Sequence, residues 1–177
     1  MWAAKAQHRM ASDRSAFGGV LGEHRIATPE DMHRLGRELA RVVRAGDVVV
    51  LSGPLGAGKT TLTRGIGEEL GVRGPVTSPT FVLARTHPNL IGGPPLVHVD
   101  AYRLADAREL DDLDIDFGRS IVVVEWGAGM LDGVVESWLE VDIERPTGAS
   151  ELTAADEPVE PRLVTIAAHG PRWAAAE

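Results

Sequence analysis

An α/β three-layer sandwich on a mixed, mainly parallel central sheet is predicted by three features of this 177-residue sequence. Apolar, β-branched runs at 47–51, 96–99 and 121–124 read as strands. Ile121-Val122-Val123-Val124 has no polar interruption, as in a central strand buried on both faces. The first run leads into Gly53-Pro54-Leu55-Gly56-Ala57-Gly58-Lys59-Thr60 and then into residues at helical spacing, the P-loop NTPase-like order of strand, loop and helix. Near the end, 138–143 and 162–166 alternate apolar and polar residues, which predicts an antiparallel hairpin on one edge.

Each element has its own warrant. Residues 23–27 form a short first strand. Thr28-Pro29-Glu30-Asp31 starts a helix, with a hydroxyl cap, proline at the first helical position and acids in the first turn. Met32, Leu35, Leu39, Val42 and Val43 recur at spacings of three and four and give that helix one apolar face; Gly46 ends it. The strand before the glycine-rich loop covers 47–52, and the helix after it runs from about 59 to 70, with Gly71 as its stop. Residues 71–79 are rich in Gly, Pro, Ser and Thr and form a loop; 80–86 read as a strand and 87–95 as a turn. Leu96-Val97-His98-Val99-Asp100 is a strand ending in an acid. A short acidic helix follows at 105–113, a loop at 114–120, and then the strand ending at Glu125-Trp126.

One domain, 23–168, accounts for the apolar pattern. The segment 1–22 lacks the apolar centre of a secretory signal and reads as a disordered extension. Between the hairpin strands, 146–161 is acidic and poor in apolar residues, so it reads as a mobile loop, and 169–177 as a tail. No stretch approaches the roughly 20 apolar residues that span a bilayer, which argues against a membrane partner. The absence of cysteine excludes disulfides and thiolate chemistry and fits a cytoplasmic protein. A net charge of −8 argues against gripping a nucleic-acid backbone directly.

The residues 53–60 match the phosphate-cradling pattern of glycine, four residues, glycine, lysine and threonine, which arises by accident in roughly one chain of this length in a hundred. The glycines let backbone N–H groups turn around phosphate oxygens at the positive end of a helix. Lys59 would reach the β- and γ-phosphates and Thr60 would ligate Mg2+. Lysine occurs elsewhere only at Lys5, so the folded part keeps its single lysine where a phosphate loop needs it. No Asn/Thr-Lys-x-Asp segment is present to read guanine, which favours ATP. Asp100 and Glu125, each closing an apolar run, are the candidates for the metal and the attacking water; an acid capping the next helix is the alternative for each. Asp111, Asp112, Asp114 and Asp116 read as a solvated acidic face. His98 reads as a core residue or a support for the site, Trp126 as core in preference to a nucleotide contact, and Arg103 as a phosphate, partner or salt-bridge residue.

Four segments in order, GPLGAGKTTLTRG at 53–65, VTSPTF at 76–81, HVDAYRL at 98–104 and VEW at 124–126, make the chain resemble the TsaE (YjeE) family of bacterial ATPases. The first segment is common to many nucleotide-binding proteins; the other three are specific. The resemblance implies phosphate and nucleotide binding by the loop 53–60 with Thr61, and phosphate and Mg2+ binding by Lys59 and Thr60. It also implies a switch-like loop at Ser78-Pro79-Thr80 with Thr80 near the γ-phosphate, and a place for Thr28 near the adenine. Asp100 and Glu125 would act on Mg2+ or its water. It further implies ATP hydrolysis that serves the threonylcarbamoyl modification of adenosine 37 in tRNAs reading ANN codons, with TsaD and TsaB as partners and tRNA touched only indirectly. Pro54 stands where the family often has aspartate and takes one N–H from the loop. A small-molecule phosphotransferase, with a lid recruited from Arg64, Arg73, Arg85 and Arg103, is the competing class; a nucleotide-sensing module without useful hydrolysis is a third.

Overall fold

The sheet of this computed structural model, which describes residues 17, 19–79, 82–145 and 160–174, has seven strands. They are β1 (Gly22–Ile26), β2 (Val48–Ser52), β3 (Ala84–His87), β4 (Leu96–Asp100), β5 (Ile121–Glu125), β6 (Trp138–Glu144) and β7 (Arg162–His169). Helices α1 (Pro29–Ala40), α2 (Lys59–Leu70) and α3 (Ala107–Asp111) and two 3₁₀ turns, Ala101–Arg103 and Pro171–Trp173, complete the described elements. The spatial order is β1-β7-β6-β2-β5-β4-β3. β6, β2, β5 and β4 run parallel, while β3 and β7 oppose their neighbours.

Alternation along the central strands divides the core in two. Val49, Leu51, Ile121 and Val123 pack towards α1 and α2 with Met32, Leu35, Leu39, Leu62 and Ile66. Val48, Val50, Val122 and Val124 face the opposite layer, where Leu104, Leu110 and Leu131 cover them. That second layer is mostly irregular chain, so the sandwich is thick on one face and thin on the other.

Helix α1 begins as its sequence requires. The Thr28 hydroxyl accepts from the Asp31 N–H at 3.1 Å, and the Asp31 carboxylate accepts from the Thr28 N–H at 3.1 Å, a reciprocal capping box. It ends at Ala40, well before Gly46. The N–H groups of Val42 and Val43 both turn back to the Leu39 carbonyl, and the Arg44 N–H donates to the Asp47 carboxylate at 2.8 Å. Two β-branched residues followed by a competing side-chain acceptor stop the helix there. Helices α1 and α2 cross with their backbones in contact: a Cβ on Gly65 would run into the His33 carbonyl, and one on Gly36 into the Leu62 carbonyl. This packing sets the start of α2 against Met32 and hence places the phosphate loop.

Further boundaries differ from those the sequence predicts; the short acidic helix expected at 105–113 covers only Ala107–Asp111, where the Asp106 carboxylate caps its start. Of the strand expected at 80–86, residues 80 and 81 lie outside the described residues. The Val82 N–H turns back to the Pro79 carbonyl, the Leu83 carbonyl accepts from the Asp100 N–H, and the ladder runs from Ala84 opposite Val99 to His87 opposite Leu96. The β6–β7 hairpin forms, and β1 then pairs antiparallel outside β7 from Gly22 opposite Ile166 to Ile26 opposite Arg162, so the antiparallel margin is three strands wide. The presumed extension and tail also contribute to the core. Val20 and Leu21 are buried, and Phe17 meets the buried Trp173 edge to face at 5.3 Å. Arg172 forks onto Asp47, which is buried, with contacts of 3.1 and 3.2 Å, and donates to the Val42 carbonyl. Residues 1–16 and 18 of the expected extension 1–22, residues 146–159 of the expected acidic loop 146–161 and residues 175–177 of the expected tail lie outside the described residues.

Candidate functional site

The site grows from the end of β2. After Ser52 the chain turns through 53–58 and enters α2 at Lys59. Gly58 is the cap residue, at φ 112° and ψ 14°, a left-handed conformation that disfavours any side chain. It has no side chain to cap the first-turn N–H groups of α2. The Lys59 ammonium is folded back into the loop: Nζ donates to the Gly53 carbonyl at 2.7 Å and to the Pro54 carbonyl at 3.0 Å, and it lies 3.9 Å from the centroid of the Trp126 ring. Burial pushes its pKa below the ordinary lysine value, and the nearby Glu125 and Asp100 carboxylates pull in the other direction. Pro54 thus takes an N–H from the loop but supplies a carbonyl that holds the lysine.

Two strand ends bring up the acids. Asp100 and Glu125 are cross-strand partners at the carboxyl ends of β4 and β5, beside the loop that follows β2. Glu125 is buried; its Oε1 accepts from the Thr60 hydroxyl at 3.3 Å and from His98 Nε2 at 2.8 Å. Asp100 is half-buried, and its Oδ1 accepts from the Tyr102 N–H at 3.0 Å, so it does cap the short turn after β4 while keeping the other oxygen available. A cavity of about 720 Å3 lies between these groups, lined by Lys59, Thr60, Ser78, Asp100, Glu125 and Trp126. A smaller one of about 130 Å3 adjoins it, where Thr28, Met32 and Arg162 meet Gly56, Ala57, Gly58 and Thr61.

The fold therefore brings together the loop 53–60, Thr61, Asp100 and Glu125, with Thr28 at the neighbouring cavity; Leu55 projects exposed from the loop tip. Thr80 lies outside the described residues. Asp111, Asp112, Asp114 and Asp116 are exposed, and Arg103 is exposed with no ion pair among the described residues. Trp126 corrects the reading of it as core: it is half-buried, at φ 63°, facing Lys59 and meeting Tyr102 edge to face at 5.4 Å. The turn that ends β5 directs the indole over the lysine, and no apolar periodicity encodes such a turn. The contact between His98 and Glu125 was not assigned from the sequence, although a spacing of two places His98 and Asp100 on one face of β4.

Oxygen donors of hydroxyl and carboxylate type, as Thr60, Glu125 and Asp100 supply, suit a hard divalent cation. Among the described residues no group of three or more His, Asp or Glu could cage a metal. Mg2+ at this site would therefore draw further ligands from phosphate and water, as it does in nucleotide sites.

The family model described as "Threonylcarbamoyl adenosine biosynthesis protein TsaE" matches residues 26–152. The tRNA threonylcarbamoyladenosine biosynthesis protein TsaE of Streptomyces coelicolor is 56% identical over 149 residues, covering 82% of this chain and 96% of that protein. The protein of the same description from Bacillus subtilis is 36% identical over 124 residues, covering 68% of this chain and 76% of the other. The crystal structure of Bacillus subtilis YdiB superposes with a TM-score of 0.64 at 28% identity, covering 85% of this chain and 87% of that one. With the family model matching residues 26–152 and the Streptomyces relative matched over 96% of its length, the chain belongs to the TsaE family of threonylcarbamoyl adenosine biosynthesis proteins.

Proposed function

We propose that this protein is a Mg2+-dependent ATPase. It acts with TsaD and TsaB in forming the threonylcarbamoyl group on adenosine 37 of tRNAs that read ANN codons. The observation that carries the reading is the placement of a buried lysine, an uncapped helix N-terminus and two strand-end carboxylates around one cavity. These are the parts phosphoryl transfer to water uses: donors for the phosphate oxygens, hard ligands for a cation and a carboxylate for the nucleophile. Loop N–H groups would hold the β-phosphate, and Lys59 would exchange the Gly53 and Pro54 carbonyls for phosphate oxygens. Thr60, Asp100 and Glu125 would hold the cation and its water. Mg2+, when bound, would neutralise charge on the phosphate oxygens.

The identity of the relatives supports the pathway, and the acidic composition supports action through protein partners with tRNA reached indirectly. Two arginines that a phosphotransferase lid could recruit are occupied: Arg64 donates to the Val76 carbonyl at 3.0 Å, and Arg85 to the Thr77 hydroxyl at 3.1 Å. No helix among the described residues is long and apolar enough to cross a membrane.

The test is phosphate release from ATP by the purified chain, with and without Mg2+ and the TsaD–TsaB complex. Hydrolysis to free phosphate that requires Mg2+ is expected. Glu125→Gln should retain ATP and lower turnover by about 10²–10⁴. Transfer of the phosphate to a small acceptor, or full activity in Glu125→Gln, would contradict the proposal.

A further inference from the structure

We infer that His98 is a positioning residue for Glu125, holding Oε1 so that Oε2 is the oxygen presented to the cation and the attacking water; this rests on the Mg2+-ATPase reading above. His98 sits within β4 with no solvent-accessible surface. Its Nε2 lies 2.8 Å from Glu125 Oε1. A carboxylate oxygen can only accept, so Nε2 carries the proton in this contact. The other ring nitrogen, Nδ1, is buried with no hydrogen-bond partner among the described residues. A buried imidazole kept only for packing is expected to satisfy its polar atoms, whereas this ring spends its single polar contact on the site carboxylate.

The strand register explains how it reaches. His98 is paired with Val123 and Asp100 with Glu125, so the imidazole meets the glutamate along the diagonal between adjacent parallel strands. Oε1 is thus fixed from two sides, by His98 and by the Thr60 hydroxyl at 3.3 Å. Oε2 receives no protein donor among the described residues. If Thr60 turns to a cation, as its place in the phosphate loop requires, His98 becomes the remaining constraint on the carboxylate. Losing the histidine should then affect the hydrolytic step and cation binding far more than nucleotide binding itself.

The experiment compares the full-length wild-type chain with His98→Leu and with His98→Gln, whose side-chain amide can donate to the same oxygen. Single-turnover ATP hydrolysis at saturating Mg-ATP, with TsaD–TsaB present, gives the rate. Calorimetry gives the ATP dissociation constant and the Mg2+ concentration needed for tight binding, and thermal melting reports folding. His98→Leu is expected to slow hydrolysis by about 10–100-fold and to raise the Mg2+ requirement, with ATP affinity within about threefold of wild type. His98→Gln is expected to recover most of both losses. A native rate and Mg2+ requirement in His98→Leu would overturn the inference. So would a well-folded His98→Gln as defective as the leucine variant, or losses of rate and affinity that only track a lower melting temperature. A wild-type chain that releases no phosphate would instead overturn the ATPase reading itself, which the wild-type arm reveals before the variants are compared.

Discussion

In the proposed function Lys59 is a charge that serves a ligand. Its ammonium is buried against two loop carbonyls and an indole face, and burial alone lowers its pKa. Removing it relieves a desolvation penalty and, under the proposed function, would delete a phosphate contact. Lys59→Ala is therefore expected to weaken ATP binding by at least about 100-fold, with a melting temperature within about 3 °C of wild type; calorimetry and thermal melting check both. An unfolded variant, or one with native affinity, would contradict the role. His87 is a second buried cation-forming group. Its Nδ1 meets the Arg73 carbonyl at 3.2 Å, and Nε2 has no partner among the described residues. Its folded pKa is lowered chiefly by burial, with the Arg73 carbonyl pulling the other way and the Arg85 guanidinium adding to the lowering. The unfolded chain then binds the extra proton, so this contribution to stability is complete above about pH 6.5 and is lost as pH falls through the folded value. Urea midpoints between pH 7.5 and 5.5 should fall less steeply in His87→Phe than in wild type; equal slopes would contradict the assignment. At this scale the loop 53–60, Asp100 and Glu125 were legible because motif and strand end fix their places. The direction of Trp126 was not, because it depends on a left-handed turn that no residue pattern encodes.

Among the elements, those with a local cause could be read to within a residue or two. Helix α2 begins at the lysine of its loop and ends at Gly71, at φ 71°, and α1 begins at its capping box. Boundaries set by distant partners could not. The turn Pro171–Trp173 has no apolar period; what holds it is Asp47, 125 residues away in sequence, through the fork from Arg172, together with the burial of Trp173. Arg172→Ala would leave the Asp47 carboxylate buried without its partner and is expected to destabilise the fold by about 3 kcal/mol in urea unfolding. The site itself lies at the other end of β2, so ATP affinity below the unfolding transition should be unchanged. A loss under about 0.5 kcal/mol would show that the turn is not a latch.

For the whole molecule, hydrophobic periodicity named the strands but not their order. Nothing in β1 or β7 alone announces that they pair, since both alternate in the manner of any half-buried strand. The functional geometry was more legible than the topology that produces it, because parallel neighbours in an α/β sheet bring strand ends to one edge whatever their order. Family membership, the cavity beside the glycine-rich loop and the acidic composition together support the proposed cellular role. The measurement that tests it most directly is the threonylcarbamoyladenosine content of tRNA from cells depleted of this protein and supplied with either the wild-type chain or Lys59→Ala. Depletion is expected to lower the modification, and only the wild-type chain is expected to restore it. Modification that persists under full depletion, or rescue by Lys59→Ala, would contradict the central claim.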